Sequence, residues 1–178
     1  MKKTASVLLL FSIAASAFAA DKGFAADKGF YIGANVGQAR TNTYNLSSKF
    51  NIAATGLVGY QFNKNVAVEA QYSHLGTITA TGGGSATIAG YGAAVVGILP
   101  FNEQWSGYGK LGFDSMSLKI SDTGHTANRI AATWGIGGQY NVNETLGIRF
   151  GYDSYGIGDS TTQTATTIVV SAGVVYKF

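Results

Sequence analysis

Few side chains in this chain of 178 residues are equipped for covalent chemistry. It has no cysteine and two histidines, His74 and His125, which excludes a thiolate nucleophile and a zinc site built on cysteine. Acyl transfer needs a serine nucleophile beside a histidine base, yet His125 is followed by Thr126 and Ala127, and His74 stands on a different segment. Two histidines on separate segments also make a poor metal site. We therefore predict no enzymatic activity, no metal and no cofactor.

The charged side chains point to ion pairing rather than to catalysis. Glu69 lies four residues past Asn65 and Arg149 four residues past Thr145 on another segment, so that both point to the same face at similar height. Buried ions need partners of opposite charge, and we predict that these two pair inside the protein. We also expect Lys110 to pair with Asp114, and Arg149 with Asp153. The further polar residues predicted inside are Lys110, Asp114, Arg129, Gln139 and Asp153, together with Asn35, Gln61, Gln71, Thr133 and Lys177.

The segments that must position these charges alternate between apolar and polar side chains, which is the signature of β-strands. The pattern is clearest in residues 164–178, where every second residue is apolar: Ile168, Val170, Ala172, Val174, Tyr176 and Phe178. The intervening residues are small, mixed or charged. One wholly apolar face with an aromatic end is typical of a strand whose outer face meets lipid.

Eight alternating segments are predicted, approximately at residues 29–40, 50–62, 65–75, 86–99, 104–119, 128–141, 144–156 and 164–178. Each is long enough for a tilted membrane strand of about 9–11 residues. Short polar connections alternate strictly with longer ones rich in Gly, Ser and Thr. We therefore predict an all-β fold: an eight-stranded antiparallel up-and-down transmembrane β-barrel over residues 29–178, with short periplasmic turns and longer extracellular loops.

The alternation also predicts which side chains meet lipid. Nearly every charge in the strands falls on the inward face, because a cation at the bilayer midplane costs about 2–4 kcal/mol. The apolar side chains predicted to face outward include Ile32, Val36, Val58, Val68, Tyr72, Ala94, Val96, Ile98, Leu111, Phe113, Trp134, Ile136 and Phe150. A soluble sandwich or lipocalin-like barrel would invert the two faces, but the N-terminal segment and the aromatic strand ends favour the membrane version.

The N-terminus is predicted to be a secretory signal peptide over residues 1–20. Met1-Lys2-Lys3 precedes an apolar run and Ala17-Phe18-Ala19, which is the order of a basic region, a core and a cleavage site. Residues 21–28 are predicted to be a lead-in to the barrel. Without residues 1–20, ten Lys and Arg stand against nine Asp and Glu, and no basic cluster argues for nucleic acid.

With its segments in this order, the chain resembles the eight-stranded outer-membrane proteins of the OmpA transmembrane-domain type over residues 29–178. The resemblance rests on local matches at residues 29–34, 58–63, 68–72, 110–112, 138–140, 148–152 and 176–178. It implies that the terminal aromatic strand, with Tyr176 and Phe178, is an assembly signal read by the barrel-assembly machinery.

The same resemblance implies a role for the predicted ion pair. Glu69 and Arg149 match a salt bridge that gates a narrow pore in that family. The family's second acid and its alternative lysine correspond here to Gln139 and Val95, which departs from a two-state gate. A static ion pair that fills a plugged barrel is therefore the alternative.

These observations predict a structural protein of the bacterial outer membrane, reached by Sec-dependent export, with at most a narrow or gated pore for small solutes. The alternative is a surface adhesin or a barrel that contacts host or phage through its extracellular loops. Lipid A deacylases carry a His-x-Ser-Asn pattern, whereas this chain has Ala127 in place of the serine. The expected partners are outer-membrane lipid and lipopolysaccharide, the barrel-assembly machinery and periplasmic chaperones. We expect a monomer that binds no nucleic acid.

Overall fold

The computed structural model describes residues 28–42, 51–79, 85–120, 126–157 and 165–178. In these residues, eight antiparallel strands close into one barrel in chain order, with β1 paired to β8. The strands are β1 (Gly29–Asn42), β2 (Asn51–Asn63), β3 (Val66–Thr79), β4 (Ser85–Pro100), β5 (Trp105–Ile120), β6 (Thr126–Asn141), β7 (Leu146–Ile157) and β8 (Ala165–Lys177). The predicted fold class, strand number and strand order are confirmed.

The described residues contain no helix that is long and apolar enough to span a bilayer. The predicted signal peptide, at residues 1–20, lies outside the described residues. So does the predicted lead-in, except for Lys28. Both stay predictions.

The two ends of the barrel differ in their connections. One end, called the turn end below, carries the start of β1, the end of β8 and three short turns at residues 64–65, 101–104 and 142–145. The four longer connections belong to the opposite end, called the loop end, and lie outside the described residues. Strand β3 continues to Thr79 rather than to residue 75 as predicted, because its ladder with β4 extends to the Thr79–Ser85 pair.

Side chains sort between lipid and lumen as the alternation predicts on seven of the eight strands. On the outer face Ile52, Leu111 and Ile130 are 79%, 70% and 74% exposed, whereas the inward-facing Glu69 and Lys177 are 2% and 0% exposed. This partition has a physical cause, since lipid cannot solvate a charge and the lumen can supply it with a partner.

Strand β4 is where the predicted faces are wrong. Ala94 and Val96 are buried inside the barrel and Ile98 packs against an interior cluster, while Val95 is exposed on the outer face. Small apolar residues occupy both faces of this strand, so its own alternation carries no information. The pairing of β4 with β3 shows which residues face the lumen. Ala94 pairs with the inward-facing Glu69 of β3, and directly paired residues share a face.

Aromatic rings cluster on the outer face near the turn end. Phe30 lies 4.7 Å from Tyr60 between ring centroids, and Trp105 lies 4.9 Å from Tyr140. At the end of β8, the rings of Tyr176 and Phe178 are 5.1 Å apart in an edge-to-face arrangement. Amphipathic rings prefer the headgroup level, so this belt marks one membrane interface. Trp134 and Tyr152 form a second contact nearer the loop end, at 5.9 Å.

Large interior side chains fit because glycines face them. Gly59 of β2 stands directly opposite Tyr31 of β1, and a Cβ atom at Gly59 would overlap the tyrosine ring. Gly137 and Gly151 leave the same kind of space for Tyr108. An eight-stranded barrel is only just wide enough for its interior to be filled by side chains, so each bulky residue needs a small one beside it.

One glycine is required by its backbone conformation. The β3–β4 ladder shifts register between His74 and Gly76, and Gly76 adopts a φ of 93°, which L-residues with a Cβ rarely adopt. The bulge keeps Leu75 buried, at 2% exposure. It therefore shifts the register of β3 against β4 in the part of the strand after residue 76.

The three short turns are closed by the same pattern of hydrogen bonds. Each contains an asparagine whose side-chain oxygen accepts hydrogen bonds from the backbone N–H groups two and three residues later, which closes the turn from within. The contacts are Asn63 with Asn65 and Val66 (2.8 and 3.0 Å), Asn102 with Gln104 and Trp105 (2.9 and 2.7 Å), and Asn143 with Thr145 and Leu146 (2.9 and 2.7 Å).

The fit between Gly59 and Tyr31 makes a paired test. We expect Gly59→Ala to lower the free energy of unfolding by about 1–3 kcal/mol, because overpacking forces a locked ring to move. Gly56→Ala is the control on the same strand, since its new methyl meets nothing within 4 Å. Urea unfolding in lipid vesicles measures both; equal stability of the two variants would show that the ring is free to shift.

The turn asparagines are also testable. We expect Asn102→Ala to cost about 1 kcal/mol, because two backbone donors lose their acceptor at an exposed site, and Asn102→Asp to cost less because it keeps the oxygen. Gln104→Ala, in the same turn, should leave the unfolding free energy unchanged. A loss as large for Gln104→Ala as for Asn102→Ala would contradict a specific role for the asparagine.

Candidate functional site inside the barrel

The candidate site is an ion pair that crosses the lumen. Arg149 of β7 places Nη1 2.6 Å from Oε1 of Glu69 on β3, and both residues are buried. The Tyr31 hydroxyl donates a hydrogen bond to the same carboxylate oxygen at 2.8 Å. On its other edge Arg149 donates from Nε to Oε1 of Gln139 at 3.3 Å. The two strands are four apart in an eight-stranded barrel, so the pair ties opposite walls together.

Two tyrosine rings flank the guanidinium of Arg149. Its Cζ lies 4.7 Å from the ring centroid of Tyr108 and 5.7 Å from that of Tyr31, both within the range of cation–π attraction. The Tyr108 hydroxyl donates to the backbone carbonyl of Phe150 at 3.2 Å, which fixes the ring against β7. The rings thereby hold the guanidinium beside Glu69, and Arg149 is 5% exposed.

A second ion pair lies nearby and is joined to a third carboxylate. Lys110 of β5 places Nζ 2.9 Å from Oδ1 of Asp153 on β7 and donates a hydrogen bond to Oε1 of Gln71 at 3.2 Å. Gln71 in turn donates from Nε2 to both oxygens of Asp114, at 3.0 and 3.1 Å. One amide side chain therefore links a buried cation to a buried anion.

The pairings predicted along single strands are wrong. Lys110 pairs with Asp153 rather than with Asp114, and Arg149 pairs with Glu69 rather than with Asp153. Residues four apart on one strand are separated by about 13 Å of extended backbone, which puts their charged groups out of reach. Partners in a narrow lumen come from across it.

The remaining residues predicted to lie inside the barrel fall into two groups, buried and exposed. Gln139 and Asp153 are buried, as is Lys177, whose Nζ donates to Oε1 of Gln61 at 3.1 Å near the turn end. Arg129 differs, because it has inward parity but an exposed side chain at the loop end of β6. The strand leaves the packed lumen at that height, so parity no longer implies burial.

The buried charges of the described residues balance. Three are positive and three are negative, and they are Lys110, Arg149, Lys177, Glu69, Asp114 and Asp153. Burial of ions is tolerated only when each has a partner and further hydrogen bonds. The charges sum to zero, and the amides of Gln71 and Gln139 supply further hydrogen bonds, whereas Oε2 of Glu69 is buried with no hydrogen-bond partner.

An apolar layer separates this network from the loop end. It is a cluster of buried side chains to which each strand contributes one residue: Ala39, Ala53, Leu75, Ile88, Met116, Ala131, Tyr155 and Val169. Each is the next inward-facing residue after a small or polar one on its strand, as Met116 follows Asp114 and Leu75 follows Ser73. Because every strand contributes a residue, the layer extends around the whole barrel wall.

The two tyrosines and the apolar layer are what sequence reasoning missed. Tyr31 and Tyr108 have inward parity in β1 and β5, and that parity was a readable signal. Their rings were not assigned because aromatics in membrane strands usually meet lipid. The apolar layer could not be predicted from the sequence for another reason. Its members are spread over eight segments and become neighbours only when the barrel closes.

The histidines do not form a reactive site in the described residues. His74 is half-buried on the outward parity of β3, and His125 lies outside the described residues. Among the residues that the structure describes, no three His, Asp or Glu side chains are grouped to hold a metal ion.

A double-mutant cycle tests the ion pair. We expect Glu69→Ala and Arg149→Ala each to cost about 3–5 kcal/mol, because each leaves a buried charge without its partner. The double mutant should lose much less than the sum of the two. Urea unfolding in vesicles gives the three values, and Glu144→Ala at the exposed turn is the control. Strict additivity would mean that the two charges are solvated independently.

The sequence and fold were compared with those of known proteins. The chain matches the family described as "Outer membrane protein beta-barrel domain" over residues 5–178. A comparison with curated protein sequences returns no significant match.

Several solved structures share the fold at low sequence identity. Neisserial surface protein A is 19% identical with a TM-score of 0.74, covering 84% of this chain and 97% of that one. Ail, the attachment invasion locus protein of Yersinia pestis, crystallised in complex with the heparin analogue sucrose octasulfate, is 18% identical with a TM-score of 0.62, covering 86% and 100%. OprG from Pseudomonas aeruginosa is 11% identical with a TM-score of 0.60, covering 87% and 98%.

The family match spans nearly the whole chain, and the closed eight-stranded barrel with its lipid-facing apolar surface agrees with it. These findings place the protein in the bacterial outer membrane, and the chain belongs to the outer membrane protein beta-barrel domain family.

Proposed function

We propose that this protein is a structural component of the outer membrane whose barrel is closed to solutes at rest and conducts at most weakly. The observation that carries the proposal is the apolar layer, to which each of the eight strands contributes one buried residue. Hydrophobic constrictions exclude water and thereby stop ions. A salt-bridge gate would be redundant beneath such a layer.

The ion network below the layer supports the static alternative rather than a two-state gate. Glu69 and Arg149 are held by Tyr31, Tyr108 and Gln139 as well as by each other. A switch needs a second arrangement of comparable energy. Val95, the position matched to the family's alternative lysine, faces lipid, so it offers no second partner inside the lumen.

A non-catalytic role is part of the proposal. The charged side chains buried in the described lumen are held in ion pairs and amide contacts, and the contacts described there include no nucleophile–base pair. We further propose that the chain is exported through the Sec pathway and folded by the barrel-assembly machinery with periplasmic chaperones. Tyr176 and Phe178 would be the assembly signal, and lipopolysaccharide would be the lipid contacted at the loop end.

Adhesion is the second candidate, and the likeness to Ail is the observation that favours it. Connections at the loop end carry few charges: Lys49, Asp122 and Asp159. Binding of a polyanion requires clustered cations, which this composition does not supply. Binding of the purified barrel to immobilised host-matrix proteins tests this candidate; saturable binding that loop replacement abolishes would establish it.

Conductance in planar bilayers tests the closed barrel. We expect the wild type and Glu69→Gln to be equally silent, because the apolar layer is intact in both. Leu75→Ser combined with Met116→Ser should give measurable conductance where the wild type gives none, since hydroxyl groups let water enter the layer. Ile130→Ser, on the lipid-facing side of β6, is the control for membrane perturbation.

Two results of the conductance experiment would contradict the proposed closed barrel. Stepwise openings of Glu69→Gln with the layer intact would identify the ion pair as the gate. Open channels in the wild type would overturn the structural role altogether.

A further inference from the structure

Below the ion pair the lumen opens into a cavity at the turn end. The cavity has a volume of about 540 Å³, within the range of about 300–1,000 Å³ that is typical of small-molecule sites. Its inner end is formed by Arg149 with the rings of Tyr31 and Tyr108, and its mouth by the second and third short turns with Lys64 of the first.

The lining of the cavity is rich in carboxamides. Six of its side chains are amides: Gln61, Asn102, Gln104, Gln139, Asn141 and Asn143. A carboxamide both donates and accepts hydrogen bonds. The side-chain oxygens of five of these six amides already accept bonds within the protein, so the lining offers mainly N–H donors, which match the oxygens of hydroxyl and amide groups on a ligand. Two tyrosine rings add apolar surface at the inner end. A few polar groups against an apolar wall is the composition of an orienting site.

The charges of the lining argue against an ionic ligand. Lys64 and Arg149 are balanced by Glu103 and Glu144, and Arg149 is already paired with Glu69. Neither an anion nor a cation meets an excess of opposite charge. The polar network and the apolar layer close the far side, so that a solute entering from the turn end goes no further than Arg149.

We propose that this turn-end cavity is a dead-end binding site for a small uncharged solute that carries several hydroxyl or amide groups. A saccharide unit has that chemistry. In a barrel with periplasmic short turns, the site faces the periplasm. The proposal goes beyond the structural role and does not depend on whether the barrel conducts.

Side-chain amide signals in the NMR spectrum of the full chain in detergent micelles provide the test. The probes are methyl glucopyranoside and N-acetylglucosamine as neutral ligands, with inorganic phosphate as the anion. We expect saturable shifts at Gln139 and Asn141 with the sugars, at roughly millimolar affinity, which suits a ligand of about a dozen heavy atoms. Phosphate should cause none.

Two variants make the result specific to the cavity. Ser106→Phe should abolish the shifts by filling the space between Ser106 and the mouth, and Gln139→Leu should weaken binding about tenfold, which is the loss of about one hydrogen bond. Gln38→Leu makes the same chemical change on the exposed outer face of β1 and should leave binding unchanged. Shifts that persist in both cavity variants, saturation by phosphate instead of sugar, or no saturation by any probe would each overturn the proposal.

Discussion

The narrowness of an eight-stranded lumen is the constraint on which this structure depends. Lipid outside forbids charge, and side chains fill the lumen at the level of the ion pairs, so an inward charge there needs a partner from another part of the wall. Glu69 and Arg149 meet that demand by joining strands four apart, and Lys110 and Asp153 by joining strands two apart. The neutral sum of the buried charges in the described residues follows from the same rule.

The narrow lumen also limits the size of the side chains that fit inside it. Tyr31, Tyr108 and the long cations fit only because glycines stand opposite them, and the glycine at 59 is as much a part of the site as the tyrosine it faces. Towards the loop end, one buried apolar side chain from each strand joins a single cluster, which is the apolar layer. The lumen is therefore open at the turn end, is lined by the polar network in its middle and is closed by the apolar layer on the side of the loop end.

The alternation of side chains was enough to predict the barrel, the outer face and the burial of Glu69 and Arg149 on one interior. It failed where a strand lacks contrast between its faces. On β4, Ala94 and Val96 could be placed only from their neighbours in the ladder, because both faces of that strand are small and apolar. The partners of Lys110 and the members of the apolar layer depend on how the sheet closes, which no single segment encodes.

The central claim is that the buried Arg149 is held rigidly between Glu69 and two tyrosine rings. NMR of the arginine side chain in lipid nanodiscs measures this most directly, through rotation about the Cζ–Nε bond and exchange of the Nη protons with solvent. We expect separate Nη signals and slow exchange, which Glu69→Gln should convert to faster exchange. A single averaged signal with rapid exchange in the wild type would contradict a closed, static ion pair.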